Sequence, residues 1–319
     1  MTHNRTFWLC LLAGLLLTSF AAPAATFAQE TKAQHAQQQQ ATDAVKVTDQ
    51  DEKKAEEKTQ FVRLVRDNNG TPSSLDTAVT TYIGKNSKGE EVRVALLGAI
   101  HIGDEAYYQE LSEKFKTYDV LLYELVAPKG ARPGQGQESM YAVIARYLGL
   151  SDQLANIDYT AENFVHADMS GDDFLKSMEE RGESFIKMFF KAMGQAMAQQ
   201  QKAQEEGREM PNDFEIIMAM ISGDKTKLKQ AIAPTFENME MSMALFEGPE
   251  GSTIITERNK VALEVLKEQI EAGHTNIGIF YGAGHFNDME QRLFDDFELK
   301  VEKQEWLKAW NMAPTTPAG

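Results

Sequence analysis

The sequence predicts an α/β fold with a mixed β-sheet, and two observations carry that prediction. A Gly-x-x-His signature occurs twice, as Gly98-Ala-Ile-His101 and as Gly282-Ala-Gly-His285, and each copy ends an apolar run typical of a buried strand. The first copy also opens a strand–helix–strand pattern over residues 92–125, which is typical of a βαβ unit with parallel strands. A hairpin precedes this unit, so we expect antiparallel strands in the same sheet.

The first 60 residues are predicted to lie outside the folded domain. Residues 1–28 carry a short basic start, an apolar stretch and small-residue cleavage sites, which indicate a secretory signal peptide and a secreted or periplasmic protein. An uncleaved amino-terminal anchor is the alternative, although the apolar stretch is shorter than the ~20 residues that a membrane-spanning helix needs. Residues 29–60 contain almost no large apolar side chain, so we expect a disordered, low-complexity linker.

Composition argues against several classes of function. The formal net charge of −16 disfavours binding to nucleic acid or to anionic membrane surfaces, since both need basic patches. The single cysteine, Cys10, lies inside the predicted signal peptide. Cleavage would leave a mature protein without cysteine, which excludes disulfides, a thiol nucleophile and a cysteine-ligated zinc site.

The folded domain is predicted to span residues 61–313, with a flexible tail over residues 314–319. It opens with strands at residues 61–65 and 78–83, and a hairpin turn at 85–89 leads into the strand that ends at the first signature.

The βαβ unit places two functional residue types together. Asp104 is the predicted N-cap of its helix, and a strand over residues 119–125 completes the unit. Parallel strands joined by a crossover end at the same edge of a sheet, so His101 and Glu124 should lie side by side on adjacent strands.

The second signature follows a helix over residues 256–273 and a strand over residues 276–281. Open α/β sheets bind their ligands at the carboxyl ends of the strands. If both units belong to one sheet, His101, Glu124 and His285 converge at that edge.

Residues 133–250 are predicted to form a helical insertion over this edge. Most of the methionines lie here, strands are hard to find, and helices are expected near residues 186–197, 213–222 and 225–243. A methionine-rich surface is adaptable and suits a peptide-binding groove or a homodimer contact. Packing within the core of a helical subdomain is the alternative.

The three convergent residues have the chemistry of a metal site. Histidine and carboxylate ligands suit a divalent ion such as manganese, cobalt or zinc, and an open coordination position would hold a water molecule. Metal binding lowers the pKa of that water towards ~7, which makes hydroxide available at neutral pH. We expect His101 and His285 as metal ligands, and Glu124 either as a ligand or as the general base.

The motifs resemble those of the TraB/GumN family, which includes the TIKI metalloproteases and is more distantly related to erythromycin esterase and ChaN-like proteins. The resemblance covers residues 61–310 and rests on Leu97-Gly-Ala-Ile-His101, Tyr123-Glu-Leu125, Glu257-Arg-Asn259 and Tyr281-Gly-Ala-Gly-His285. It implies an α/β fold with one active edge and, for the best-studied members, peptide hydrolysis that depends on a divalent metal. The insertion matches least, so the resemblance implies no substrate preference.

Further candidates lie near these motifs. Arg258 and Asn259 open the late helix, where they could hold a substrate carboxylate or stabilise an oxyanion; a salt bridge on the helix surface is the alternative. Tyr281 could donate its hydroxyl to the same transition state. His166 and Asp168 lie in a polar segment that could reach over the site or could only cap the next helix.

The sequence thus predicts an exported metal-dependent hydrolase that cleaves a peptide or other acyl bond. A non-catalytic protein of the same fold that binds a peptide or haem is the first alternative, and a structural cell-envelope protein is another. The chain contains no Gly-x-Ser-x-Gly elbow, phosphate-binding loop or His-Glu-x-x-His motif, which disfavours serine-hydrolase and nucleotide-dependent reactions.

Overall fold

The computed structural model describes residues 59–133, 140–184, 186–187, 194, 213–247 and 251–313. The predicted signal peptide, residues 29–58 of the linker, the C-terminal tail and most of the helix expected at residues 186–197 lie outside the described residues. Within the described ranges, no helix is both long enough and apolar enough to cross a membrane.

Strands and helices alternate along much of the chain. The strands are β1 (Val62–Arg66), β2 (Pro72–Lys85), β3 (Glu91–Ala99), β4 (Ile102–Gly103), β5 (Val120–Tyr123), β6 (Ser151–Asp152), β7 (Phe164–His166), β8 (Asn276–Gly282) and β9 (Lys300–Asn311). The α-helices are α1 (Glu105–Phe115), α2 (Met140–Leu148), α3 (Gln153–Asn156), α4 (Gly171–Glu180), α5 (Asp213–Ser222), α6 (Lys225–Glu247), α7 (Arg258–Glu271) and α8 (Phe286–Asp295). A π-helix, Thr253–Glu257, precedes α7, and a 3-10 helix, Ala283–His285, precedes α8.

One mixed sheet contains most of the strands. β2 pairs antiparallel with β1 and β3 along successive parts of its length, and with β9 across both parts. The rest of the sheet is parallel, with β3 beside β8, β8 beside β5 and β5 beside β7. The fold is therefore α/β with parallel and antiparallel strands in one sheet, as the sequence predicts.

β8 lies between β3 and β5, so the prediction that His101 and Glu124 follow adjacent strands is wrong. Gly278 of β8 is in register with both Ala95 of β3 and Leu121 of β5. The central position suits β8 because its middle residues are all buried, which is typical of a parallel strand covered on both faces. The second signature therefore sits between the two strands that carry the other candidates.

The segment predicted to be helical also contributes a strand to the sheet. β7 pairs in parallel with β5, which places His166 in register with Tyr123, and β6 pairs with β4 in a separate ribbon. These strands have only two or three residues, too few for hydrophobic periodicity to identify them. Two helices predicted in this segment are confirmed, since α5 and α6 begin at Asp213 and Lys225.

Asp104 occupies the N-cap of α1, but its carboxylate makes no capping hydrogen bond. It accepts a hydrogen bond from the backbone N–H of Asn311 at 2.5 Å and lies 3.5 Å from the Lys229 ammonium. Lys229 also donates to the Asn311 carbonyl at 2.6 Å. The side chain thus joins α1, α6 and the end of β9.

Replacing Gly278 with alanine should destabilise the fold by about 1–3 kcal/mol, because the added methyl group would overpack the centre of the sheet. Its Cβ would lie 2.5 Å from Leu121 Cδ1 and 3.0 Å from Tyr118 Cδ2. Urea-induced unfolding followed by circular dichroism measures the change. Gly194→Ala is the control, since no atom of a described residue lies within 4 Å of a Cβ at that exposed position. Equal unfolding midpoints for the two variants would contradict the packing argument.

Candidate functional site

The carboxyl ends of the parallel strands bring three candidate residues to one edge of the sheet. Glu124 directly follows β5, His101 comes two residues after β3, and His285 ends the 3-10 helix after β8. The Nε2 atom of His285 lies 3.7 Å from Oε1 of Glu124. His101 lies within electrostatic range of the same carboxylate.

Glu124 is held as a carboxylate by two donors. Its Oε1 accepts a hydrogen bond from Arg258 Nη2 at 2.7 Å, and its Oε2 accepts one from the Gly282 backbone N–H at 2.7 Å. Burial raises the pKa of this carboxyl, but the Arg258 charge, followed by His285, His101 and the Gly282 N–H, lowers it by more. The pKa therefore lies well below its usual range, and Glu124 is ionised at neutral pH.

Arg258 joins Glu124 to Asp168. Its Nε and Nη2 donate to the two oxygens of Asp168 at 2.9 and 2.6 Å. The Asp168 side chain is fully buried, and Arg258 is buried beside it. Burial lowers the pKa of the guanidinium, but the two carboxylates raise it by more, so Arg258 keeps its charge. The alternative of a salt bridge on the helix surface is therefore wrong, and Asp168 belongs to the site through Arg258.

A π-helical turn, Thr253–Glu257, sets the position of Arg258 at the start of α7. The Ser252 side chain caps the turn, and Arg181 pairs with Glu257 at 3.2 Å. π-helical turns are rare and often occur at functional sites. The sequence predicts an ordinary helix from Thr256, because hydrophobic periodicity does not distinguish one wide turn from an α-helical turn.

His285 is buried and neutral at neutral pH. Burial lowers the pKa of its imidazole to about 4, although the negative charge of Glu124 acts in the opposite direction. Its Nδ1 lies 2.7 Å from Oδ1 of Asn259, a side chain that is completely buried. The Tyr281 ring packs edge-on against the imidazole at 5.2 Å. His285 therefore presents one unprotonated ring nitrogen at physiological pH.

The loop that carries His101 is held through its carbonyl groups. In α1, the Tyr107 hydroxyl donates to the Gly98 carbonyl at 2.6 Å and the Tyr108 hydroxyl donates to the Ile100 carbonyl at 2.8 Å. At the start of α3, the backbone N–H of Gln153 donates to the His101 carbonyl at 2.9 Å. The imidazole stacks on the Tyr141 ring of α2, with centroids 4.7 Å apart. Three helices thus contribute to the placement of one histidine.

Two further candidates use a polar group to hold the backbone beside the site. His166 donates from Nε2 to the Leu125 carbonyl at 2.6 Å, next to Glu124. The Tyr281 hydroxyl donates to the Ala167 carbonyl, next to Asp168. These contacts fix the backbone on which the two carboxylates are carried.

Sequence reasoning missed Tyr141, Gln153 and Asp288. Tyr141 and Gln153 lie in short helices whose patterns predict only packing. Asp288, which accepts a hydrogen bond from Asn259 Nδ2 at 2.8 Å, follows His285 by three residues. Residues three positions apart share a helix face, so this spacing is the sequence signal that could have identified Asp288.

The donors at this edge fit a divalent cation in their chemistry. A neutral imidazole and an ionised carboxylate are the protonation states that metal ligands need. Metal bonds to such atoms are ~2.0–2.2 Å long, so the 3.7 Å between His285 Nε2 and Glu124 Oε1 can accommodate one ion bound to both. In the described part of the chain, no three His, Cys, Asp or Glu side chains are grouped closely enough to hold a metal. A third bond from His101 therefore requires this side chain to shift.

His285→Gln should flatten the pH dependence of unfolding between about pH 4 and 6.5. The folded-state pKa of about 4 lies below the ordinary value of 6.5, so the unfolded chain binds a proton that the folded chain excludes. The free energy of unfolding has its full value above this pH window and falls by about 3 kcal/mol as the pH drops through it. Urea titrations at several pH values measure the slope for both proteins. Identical slopes would contradict the assignment of His285 as a buried neutral imidazole.

Arg258→Met should destabilise the fold by about 3–5 kcal/mol, because the fully buried Asp168 and the partly buried Glu124 would lose their counter-charge. Arg93→Met is the control, since Arg93 pairs with Glu302 at an exposed position where solvent screens the ion pair and the loss of stability should be small. Chemical denaturation at pH 7 compares the variants. Similar losses for both would show that the Arg258 cluster is not effectively buried.

Comparison of this chain with protein-family models, with curated proteins and with solved structures found no match. The TraB/GumN resemblance therefore stays a prediction from the sequence motifs.

Proposed function

We propose that this protein is an exported hydrolase that cleaves a peptide or other acyl bond with an activated water, and that His285, Glu124 and His101 bind a divalent metal ion. The observation that carries the proposal is the pairing of a buried, neutral His285 with an ionised Glu124 at a separation of 3.7 Å. The resemblance of four ordered motifs to those of the TraB/GumN family also supports a metal-dependent hydrolase. The signal-like residues 1–28 support export.

The charge balance of the site favours a cation. Glu124 and Asp168 carry two negative charges, and Arg258 supplies one positive charge between them. With His285 neutral, the cluster has a net charge of −1 in a buried region, where an uncompensated charge is costly. A bound divalent ion would offset that charge, and it would supply a hydroxide nucleophile by lowering the pKa of its water towards ~7.

The protonation behaviour of Glu124 favours the ligand role over the base role. An efficient general base has a pKa near the working pH, whereas the Glu124 pKa lies far below it. A permanently ionised carboxylate is a better ligand than proton acceptor. Its Oε2 is already oriented by the Gly282 N–H, which leaves Oε1 as the atom nearest to His285.

Arg258 is the proposed contact for the substrate oxygen that gains negative charge during the reaction. Among the described residues, its hydrogen bonds run from Nε and Nη2, and none runs from Nη1. The side chain is 10% exposed, so part of the guanidinium remains accessible to solvent. A preorganised cationic donor at this position stabilises an oxyanion without reorganisation.

The test is metal content and turnover of the purified protein, with His101→Ala and His285→Ala beside the wild type. After incubation with manganese, cobalt or zinc, the wild type should retain about one ion per chain and hydrolyse members of a fluorogenic peptide or ester library. In both variants, metal affinity and turnover should fall by more than the ~10–100-fold that is typical when a group only orients a ligand. His274→Ala is the matched control, because His274 lies at the far end of α7, beyond its last residue.

Two outcomes would contradict the proposal. Turnover in a protein that binds none of these ions would exclude the metal-dependent route. Stoichiometric retention of a peptide without any hydrolysis would instead identify a binding protein of this fold.

A further inference from the structure

Behind His285 lies a chain of polar side chains that runs from the buried His285 and Asn259 to the partly buried Asp288. His285 Nδ1 contacts Asn259 Oδ1 at 2.7 Å, and Asn259 Nδ2 donates to Asp288 Oδ2 at 2.8 Å. The same Nδ2 donates to the His285 backbone carbonyl at 3.0 Å. His285 and Asn259 are 3% and 0% exposed, so water does not compete for these groups.

The partners of Asn259 decide which way its amide faces. A carbonyl oxygen and a carboxylate can only accept hydrogen bonds, so the NH₂ group must point at the His285 carbonyl and at Asp288. The amide oxygen is then left facing His285 Nδ1. Because that oxygen can only accept, Nδ1 must carry the ring hydrogen and Nε2 must carry the lone pair.

We infer that Asp288 is a positioning residue: acting through Asn259, it holds His285 in the tautomer whose free nitrogen, Nε2, faces Glu124. Asp288 influences the imidazole without touching it, by fixing the orientation of the amide between them. The value of this tautomer for metal binding rests on the proposed function, since only an unprotonated Nε2 can be a ligand. The tautomer itself is inferred from the hydrogen-bond chain and does not require a bound metal.

Asp288 is in turn held in place by its own surroundings. It lies in the first turn of α8, where a carboxylate is favoured by the helix dipole. Arg292, one turn later, donates from Nε to Oδ2 at 2.8 Å and from Nη2 to Oδ1 at 3.1 Å. The Asp288 carboxylate therefore offers Asn259 only hydrogen-bond acceptors, so the Asn259 NH₂ group must point towards it.

Nitrogen-15 NMR of the histidine rings tests the inference directly on the metal-free protein at neutral pH. The wild type should show a protonated Nδ1 and an unprotonated Nε2 for His285, with the signal assigned by its loss in His285→Gln. In Asn259→Leu, Nδ1 loses its acceptor and the Nε2–H form should become the major tautomer.

Asp288 is tested with two matched variants. Asp288→Ala removes one of the two acceptors that orient the amide, so the Nε2–H population should rise several-fold and zinc affinity, measured by calorimetry, should fall about 10–100-fold. Asp295→Ala removes an exposed carboxylate of the same helix that contacts Gln291 instead of Asn259, and it should keep the wild-type ring signals. Wild-type signals and affinity in Asp288→Ala would remove Asp288 from the positioning role.

The inference and the proposed function fail separately. An Nε2–H tautomer in the wild type would overturn the inference, whatever the protein hydrolyses. The Nδ1–H tautomer in a protein that binds no zinc, manganese or cobalt would leave the inference standing and overturn the proposed metal site.

Discussion

The buried guanidinium of Arg258 is the interaction on which the candidate site depends. It bonds to both oxygens of Asp168 and to Oε1 of Glu124, so one cation fixes two carboxylates that come from different strand ends. Without that charge, burial would raise the pKa of Glu124 and favour its neutral form. Arg258 therefore decides both the geometry and the protonation state of the residue nearest to His285.

The order of strands explains how a single sheet edge collects so many functional groups. β8 pairs with β3 on one side and β5 on the other, which places the second Gly-x-x-His signature between His101 and Glu124. The glycine that starts this signature also has a direct role. The backbone N–H of Gly282 donates to Glu124 Oε2 at 2.7 Å and so orients the carboxylate.

The candidate site has two kinds of support around it. One acts on the backbone: Tyr107, Tyr108 and Gln153 donate hydrogen bonds to carbonyl groups of the His101 loop. The other acts on an imidazole, since Asn259 accepts from His285 and donates to Asp288. The first restricts where the His101 side chain lies, whereas the second also determines which nitrogen of His285 carries the proton.

The sequence by itself determined the local features of this protein. Gly98 and Gly282 mark strand ends, the apolar runs before them predict buried strands, and the crossover predicts that His101 and Glu124 reach the same edge. These inferences rest on periodicity and chain chirality, which act over a few tens of residues. Only the tertiary structure decided that β8 separates the two outer strands, that β7 joins the sheet, and that Asp168 and Asp288 orient Arg258 and Asn259. The contacts of Asp168 with Arg258 and of Asp288 with Asn259 join residues 90 and 29 positions apart, where no local pattern records which carboxylate will be the neighbour.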